Sequence, residues 1–234
     1  MEAIKKLLAE SEYLVPVTDW PRDVPSRALM ICGYKRTGKD TFARDLRAGN
    51  FAGHEWTIYA RRSTPASRLT EFAGAESVAF ADALRRGVYG SLDLPSDYDY
   101  EVHKDQPIKQ DPGVTVRDCM IALGDMGRTI DGAHWVKRAL LEKPSRKGGE
   151  IIFTDFRFPA EYYSVRDGAG IDVVVVRLFR SEIPVPPAGI SSEHDLDAFE
   201  TDFLLVRSEE EFSRAVKIFR QYANYVQIGT LGRA

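Results

Sequence analysis

A glycine-rich stretch early in the chain constrains the fold more than any other feature of the sequence. It reads GYKRTGKDT over residues 33–41 and satisfies the pattern Gly-x-x-x-x-Gly-Lys. The apolar run ALMIC over residues 28–32 precedes it and predicts a buried strand, and a helical pattern begins at Lys39. A strand, a glycine-rich loop and a helix in this order predict an α/β fold whose loop binds phosphate at a helix N-terminus.

The residue types in this loop suit phosphate binding. Gly33 and Gly38 let the backbone turn tightly and point its amides at phosphate oxygens, and Lys39 is expected to contact the β- and γ-phosphates. Asp40 stands where the common motif has Ser or Thr, so either its carboxylate or the Thr41 hydroxyl is expected to bind Mg²⁺. The alternative is an ordinary turn in which Asp40 only complements the helix dipole. The predicted nucleotide-binding residues are Gly33, Tyr34, Lys35, Arg36, Thr37, Gly38, Lys39, Asp40 and Thr41.

A second candidate segment reads EIIFTDFRFP over residues 150–159. A strand that ends just before Asp155 places this carboxylate at the carboxyl edge of the sheet, where ligands bind in open α/β folds. Asp155 is predicted to hold Mg²⁺ through water or to accept a proton from the phosphate acceptor. Arg157 is predicted to stabilise charge on a transferring phosphoryl group. The alternative is a surface Asp–Arg pair beside a helix cap.

Three further features have a structural and a functional interpretation. Asp82 follows a predicted strand, where it suits either contact with a sugar or base or a place in a helix first turn. Arg117 and Arg128 are 11 residues apart, close to three helical turns, so they share a face that suits phosphate. Trp135 suits stacking on a base, although a tryptophan in a helix more often belongs to the core.

A basic cluster comprises Arg61, Arg62 and Arg68, with Trp56 and Tyr59 nearby in the sequence. Basic and aromatic side chains together suit a strand of nucleic acid. A loop that closes over substrate and an ordinary solvated insertion are the alternatives, and we favour the insertion.

Alternating strand and helix patterns predict a three-layer α/β sandwich around a mainly parallel sheet. We expect an N-terminal extension over residues 1–27 and one domain over 28–234, with loop or lid excursions at about 91–113 and 181–200. Residues 49–75 have no clear pattern. Strands are predicted at 28–32, 77–80, 151–154, 173–176 and 203–206. Helices are predicted at 1–12, 39–47, 84–89, 114–130, 133–142, 160–167 and 209–226.

Composition excludes several classes of protein. Hydrophobic side chains make up 44% of the 234 residues, which excludes disorder as the main state. No apolar run approaches the roughly 20 residues of a membrane helix, and the N-terminus lacks a secretory signal. A net charge of -3 disfavours a broadly basic surface for nucleic acid. Only two cysteines occur, so a reducing, cytoplasmic location is expected.

These motifs together resemble the bacteriophage deoxynucleoside monophosphate kinases over about residues 28–220. The loop GYKRTGKDT is similar to that family's phosphate loop, including the Lys-Asp pair. Animal phosphomevalonate kinase has a similar loop and Asp-x-Arg strand, but the central helical block favours the phage family. The segments similar to later parts of the phage family are AFADALRR, TVRDCMIALGDMGRTIDGAHWVKRAL, EIIFTDFRFPAEYYSVRDGAG and SSEHDLDAFETDFLLV.

The resemblance implies a P-loop nucleoside-monophosphate-kinase-like fold with lid and substrate-binding insertions, ATP and Mg²⁺ as cofactors, and transfer of phosphate from ATP to a deoxynucleoside monophosphate. It also matches Glu193 to the family's Ser-Glu acid. With the residues singled out above, the predicted catalytic residues are Lys39, Asp155, Arg157 and Arg128. The predicted substrate-binding residues are Asp82, Arg117, Arg128, Trp135 and Glu193, and the predicted magnesium ligands are Asp40, Thr41 and Asp155.

Two other functions remain open from the sequence. A related kinase that phosphorylates a hydroxymethylated base within DNA, such as 5-hydroxymethyluracil, would use the additions before residue 28 and within 49–77 to hold the polymer. A nucleotide-binding regulatory module would bind ATP without catalysis. The expected partner is a small nucleotide, with DNA as the alternative through Arg61, Arg62 and Arg68. No membrane partner is expected, and a homodimer is compatible with the sequence.

Overall fold

The computed structural model describes most of the chain, which divides into two compact units. The first comprises Met1–Arg22 and Ala79–Pro144, and the second comprises Asp23–Val78 and Ser145–Ala234. The described residues are 2–51, 55–62, 64–142, 149–187 and 191–232. Within these ranges, every helix is too short or too polar to cross a lipid bilayer.

The strands are β1 (Arg27–Cys32), β2 (Trp56–Ala60), β3 (Glu76–Val78), β4 (Pro107–Ile108), β5 (Asp111–Thr115), β6 (Glu150–Phe153), β7 (Asp172–Leu178), β8 (Phe203–Val206) and β9 (Val226–Leu231). The α-helices are α1 (Glu2–Leu8), α2 (Lys39–Ala48), α3 (Ser67–Thr70), α4 (Phe80–Ser91), α5 (Tyr100–His103), α6 (Val116–Ile130), α7 (His134–Glu142), α8 (Pro159–Tyr163), α9 (Ser191–His194) and α10 (Glu209–Ile218).

The second unit is built on a sheet in the order β3-β6-β1-β7-β8-β2-β9. The strands from β3 to β8 in this order pair in parallel, whereas β2 pairs antiparallel with both β8 and β9. The central strands are almost continuously apolar, as parallel strands covered on both faces require. The predicted α/β class with a mainly parallel sheet is therefore confirmed.

Helices cover both faces of this sheet. Side chains alternate between the faces of a strand, and Leu29 and Ile31 pack in one core with Phe42 of α2. Leu204 on the opposite face of β8 packs in a separate core with Ala215 of α10. This helix–sheet–helix arrangement within the second unit is compatible with the predicted three-layer sandwich.

The first unit is mostly helical. Helices α1, α4, α6 and α7 enclose an apolar core, and β4 and β5 form an antiparallel pair. The N-terminal residues belong to this unit because α7 binds their backbone carbonyls. Lys137 donates to the Val17 carbonyl at 3.1 Å, and Arg138 donates to the Val15 carbonyl at 2.7 Å.

Three segments differ from their predictions. The predicted loop 91–113 contains α5 and the β4–β5 pair, and the segment 49–75 contains β2 and α3. The predicted helix 209–226 ends at Ile218, and β9 begins at Val226. Because β9 forms by pairing with β2, its conformation depends on a contact across the sheet that no local pattern reveals.

Candidate functional site

The loop between β1 and α2 turns tightly through two glycines with positive φ angles. Gly33 has φ +141° and Gly38 has φ +91°, both in the region that side chains disfavour. A Cβ atom on Gly33 would lie 2.5 Å from the Leu178 carbonyl oxygen and 2.9 Å from Thr37 Oγ1. Glycine is therefore needed at position 33 for both its conformation and its size, and at position 38 for its conformation alone.

Lys39 lies across this loop. Its Nζ donates to the Gly33 carbonyl at 2.7 Å and to the Tyr34 carbonyl at 3.0 Å. The buried Thr37 hydroxyl donates to the same Tyr34 carbonyl at 2.9 Å, which closes the loop on itself. Burial lowers the pKa of Lys39, and the nearby Arg157 charge lowers it further. A desolvated ammonium group in the first turn of a helix is suited to polyphosphate.

Asp155 and Arg157 lie at the same edge of the sheet as the loop. Strand β6 pairs in parallel with β1, with Phe153 opposite Met30, so both strands end side by side. Asp155 is half-buried just beyond this end. The exposed Arg157 approaches the loop closely enough to lower the pKa of Lys39. Asp155 thus lies at the carboxyl edge of the sheet, where the position of its strand predicts it, beside the end of β1.

Glu193 closes the site. Its Oε2 accepts from the Lys35 backbone N–H at 3.2 Å, and its Oε1 accepts from Arg157 Nη1 at 3.2 Å. The enclosed space lined by Lys39, Arg157 and Glu193 is only about 20 Å³, enough for one water molecule. The Glu193 carboxylate thus occupies the position of an anion on the loop. Any other anion must displace this carboxylate before it can reach the same donors.

Replacing Glu193 with glutamine should tighten nucleotide binding. The glutamine amide lacks the negative charge with which Glu193 binds Arg157 and the Lys35 N–H. It therefore competes less strongly with a phosphate for these donors. We expect ADP to bind about three- to tenfold more tightly, as measured by calorimetric titration without Mg²⁺. The exposed Glu210→Gln on α10 is the matched control and should leave the affinity unchanged. Weaker ADP binding by Glu193→Gln would mean that the carboxylate assists the ligand.

A network behind the loop was not predicted from the sequence as part of the site. Arg177 in β7 is 2% exposed, donates to the Leu196 carbonyl and lies 3.6 Å from an Asp197 oxygen. Asp197 also accepts from the Tyr34 hydroxyl of the loop at 3.2 Å. Burial raises the pKa of Tyr34, so the hydroxyl remains a donor. The sequence signal for this network is an arginine inside the apolar run VVVVRL.

His194 ties this network to the preceding segment. Its Nδ1 lies 2.7 Å from Asp197 Oδ2, and its Nε2 lies 3.0 Å from the Pro186 carbonyl oxygen. Both partners are acceptors, so both ring nitrogens donate only when the imidazole is protonated. The hydrogen bond to Asp197 accordingly raises the pKa of His194.

This geometry predicts a pH-dependent contribution to stability. Stabilisation by protonated His194 is complete below the pKa of an unfolded histidine, about 6.5, and is lost as pH rises through the raised folded pKa. The difference in unfolding free energy between wild type and His194→Gln should therefore shrink as pH rises above about 6.5. Urea denaturation at each pH measures it. His103→Gln in the first unit is the control, and a difference independent of pH would contradict the assignment.

The predicted magnesium ligands are carboxylate and hydroxyl oxygens, which suit this ion. Asp40 is exposed and Thr41 is half-buried in the first turn of α2. Among the described residues, no group of three or more His, Cys, Asp or Glu side chains is arranged to hold a metal. These residues are compatible with a Mg²⁺ ion that has one or two protein oxygens as ligands, with phosphate oxygens and water as the others.

The arginines predicted on one helix face belong to the first unit and bind neighbouring acids. Arg117 donates to Asp105 at 2.7 Å and 2.9 Å. Arg128 donates to Asp125 at 2.6 Å. An acceptor phosphate on either guanidinium would compete with these carboxylates.

The other two candidates in the first unit, Asp82 and Trp135, contact neighbouring groups of the protein. Asp82 lies in the first turn of α4 and accepts from Arg85 at 3.0 Å. Trp135 is 5% exposed and donates to the Gly124 carbonyl at 3.0 Å. A Cβ on Gly127 would lie 2.7 Å from the Trp135 ring, so the ring packs directly on α6. The core interpretation of Trp135 therefore replaces stacking on a base.

The arginines of the basic cluster do not form one patch of unpaired charge, because two of the three are paired with acidic side chains. Arg68 forms an ion pair with Asp172 at 2.9 Å, and Arg61 forms one with Glu200 at 2.6 Å. Arg62 is exposed. The chain matches no family model and no curated protein, so its function is inferred from these contacts and from its motifs.

Proposed function

We propose that this protein is an ATP-dependent phosphotransferase that converts deoxynucleoside monophosphates to diphosphates. The observation that carries the proposal is the closed loop itself, in which Glu193 bonds both a loop amide and Arg157. A carboxylate held in this way supports the proposal, because donors that bind a carboxylate also suit a phosphate. The resemblance to the phage kinases supplies the reaction and the acceptor.

In this mechanism the donor phosphates replace protein groups as the hydrogen-bond partners of the loop. The Lys35 amide leaves Glu193 for a phosphate oxygen, and Lys39 turns from the Gly33 carbonyl to the β- and γ-phosphates. Arg157, released from Glu193, neutralises charge on the transferring group. Positioning and charge stabilisation account for the rate of such reactions, since the protein forms no covalent bond.

Magnesium would supply positive charge that stabilises the donor phosphates during transfer. Asp40 or Thr41 would hold it from the first turn of α2, and Asp155 would orient its water from the end of β6. The acceptor contacts proposed from the resemblance are Arg117 and Arg128.

A transfer assay tests the proposed reaction. The purified protein is incubated with Mg²⁺ and ATP labelled at the γ-phosphate, together with each of the four deoxynucleoside monophosphates or with DNA containing 5-hydroxymethyluracil. We expect the label in a deoxynucleoside diphosphate. Label in the DNA alone would replace this function with the polynucleotide kinase, and ATP binding without transfer to any acceptor would favour the regulatory module.

A further inference from the structure

A second basic cavity lies in the second unit and has no role in the proposed reaction. Its volume is about 700 Å³. It is bounded by the residues that follow β2, by the 3-10 turn over Arg220–Asn224 and by the start of β9. The side chains that matter for its chemistry are Arg61, Arg62, Arg220, Glu200, Gln221 and Asn224.

The charge in this cavity is only partly balanced. Glu200 is its one acidic lining residue, and it pairs with Arg61 at 2.6 Å. Within the part of the chain that the structure describes, neither Arg62 nor Arg220 forms an ion pair, and both are exposed. Arg68, by contrast, is paired with Asp172. The cavity therefore carries two uncompensated guanidinium groups.

The backbone that presents these arginines is well anchored. Ala60 pairs with Val226 where β2 meets β9, so Arg61 and Arg62 leave the sheet directly beside the cavity. Arg220 lies between the buried Phe219 and Gln221, and Gln221 donates to the Asp197 carbonyl at 2.6 Å. The two walls are thus held at a set distance, which favours binding of one anionic ligand by both.

We propose that this cavity is an anion site, separate from the phosphate loop, for the phosphate groups of a nucleotide or of a nucleic-acid strand. A guanidinium presents a planar fork of donors that matches phosphate oxygens. The volume lies within the range of pockets that hold ligands of nucleotide size. The amide side chains of Gln221 and Asn224 add neutral hydrogen-bonding groups. This site does not depend on the proposed reaction.

The test uses the full chain carrying Lys39→Ala, which weakens nucleotide binding at the phosphate loop. Two probes distinguish the sources of phosphate: a short fluorescent oligothymidylate, followed by anisotropy, and free dTTP, followed by calorimetry. We expect Arg62→Gln and Arg220→Gln each to weaken binding of at least one probe about tenfold, and to reduce its salt dependence. Binding of the strand alone or of dTTP alone supports the site and identifies the source.

Two further variants separate a site from general electrostatic attraction. Arg214→Gln removes an exposed arginine from α10 and should leave binding unchanged. Glu200→Gln releases Arg61 from its partner and should tighten binding about threefold. The proposal is overturned if neither probe binds, or if Arg214→Gln weakens binding as much as Arg62→Gln does. Thermal melting confirms that each variant is folded.

Discussion

Replacing Lys39 with alanine should leave a folded protein whose phosphoryl transfer from ATP is about 10²- to 10³-fold slower, the loss typical of removing one donor to a developing charge. Lys35 and Arg36, the other cationic side chains of the loop, are exposed, whereas Lys39 is half-buried and lies across the loop, so neither is placed to replace it. Its present partners, the Gly33 and Tyr34 carbonyls, belong to the loop itself. Steady-state rates with saturating acceptor measure the effect.

The matched control is Lys217→Ala, which removes an exposed lysine from α10. It should transfer phosphate at the wild-type rate, and both variants should show similar circular dichroism spectra. Near-normal transfer by Lys39→Ala would remove the phosphate loop from the proposed mechanism. It would not affect the anion site proposed in the second basic cavity, since that site is tested by binding alone.

Replacing Arg177 with leucine should lower the free energy of unfolding by about 3 kcal/mol or more. Arg177 is enclosed between the sheet and Phe219, whose ring centre lies 4.4 Å from the guanidinium carbon. Leucine leaves the Leu196 carbonyl without its donor, removes one of the two basic side chains beside Asp197, and does not refill the space. Urea denaturation, with unchanged m-value, measures the difference.

Arg166→Gln is the control for this change. Arg166 is exposed and pairs with its neighbour Asp167 at 2.6 Å, and exposed pairs contribute little to stability. We expect a change of less than about 0.5 kcal/mol. A loss below about 1 kcal/mol for Arg177→Leu would contradict the structural role assigned to it, because an average point substitution already costs about that much.

The two variants probe connected parts of one site. The Asp197 carboxylate contacts Arg177, His194 and the Tyr34 hydroxyl. Glu193 lies on the same short segment as Asp197. Displacing Glu193 by a nucleotide therefore acts on a segment that is anchored to the loop at Tyr34. Weakening that anchor through Arg177 should disturb the loop as well as the core.

Local features of the sequence predicted much of this fold. The strands at 28–32 and 203–206 and the helix from Lys39 agree closely with β1, β8 and α2. Apolar runs bounded by glycine or polar residues are sufficient for such elements, since both faces of a central parallel strand are buried. Strands β2 and β9 were missed because they are stabilised by antiparallel pairing with each other.

The sequence alone determined the backbone of the loop. Gly33 and Gly38 specify its backbone through their lack of a side chain, and Lys39 follows at the helix start, so no distant contact is needed to recognise it. Only the tertiary structure placed Glu193 on the Lys35 amide, 158 positions away, and buried Arg177 behind the loop. It also pairs Arg68 with Asp172, and it places Arg220 rather than Arg68 in the lining of the same cavity as Arg62. Steric preferences act between neighbours along the chain, whereas the pairing of charges depends on which strands and turns the fold brings together.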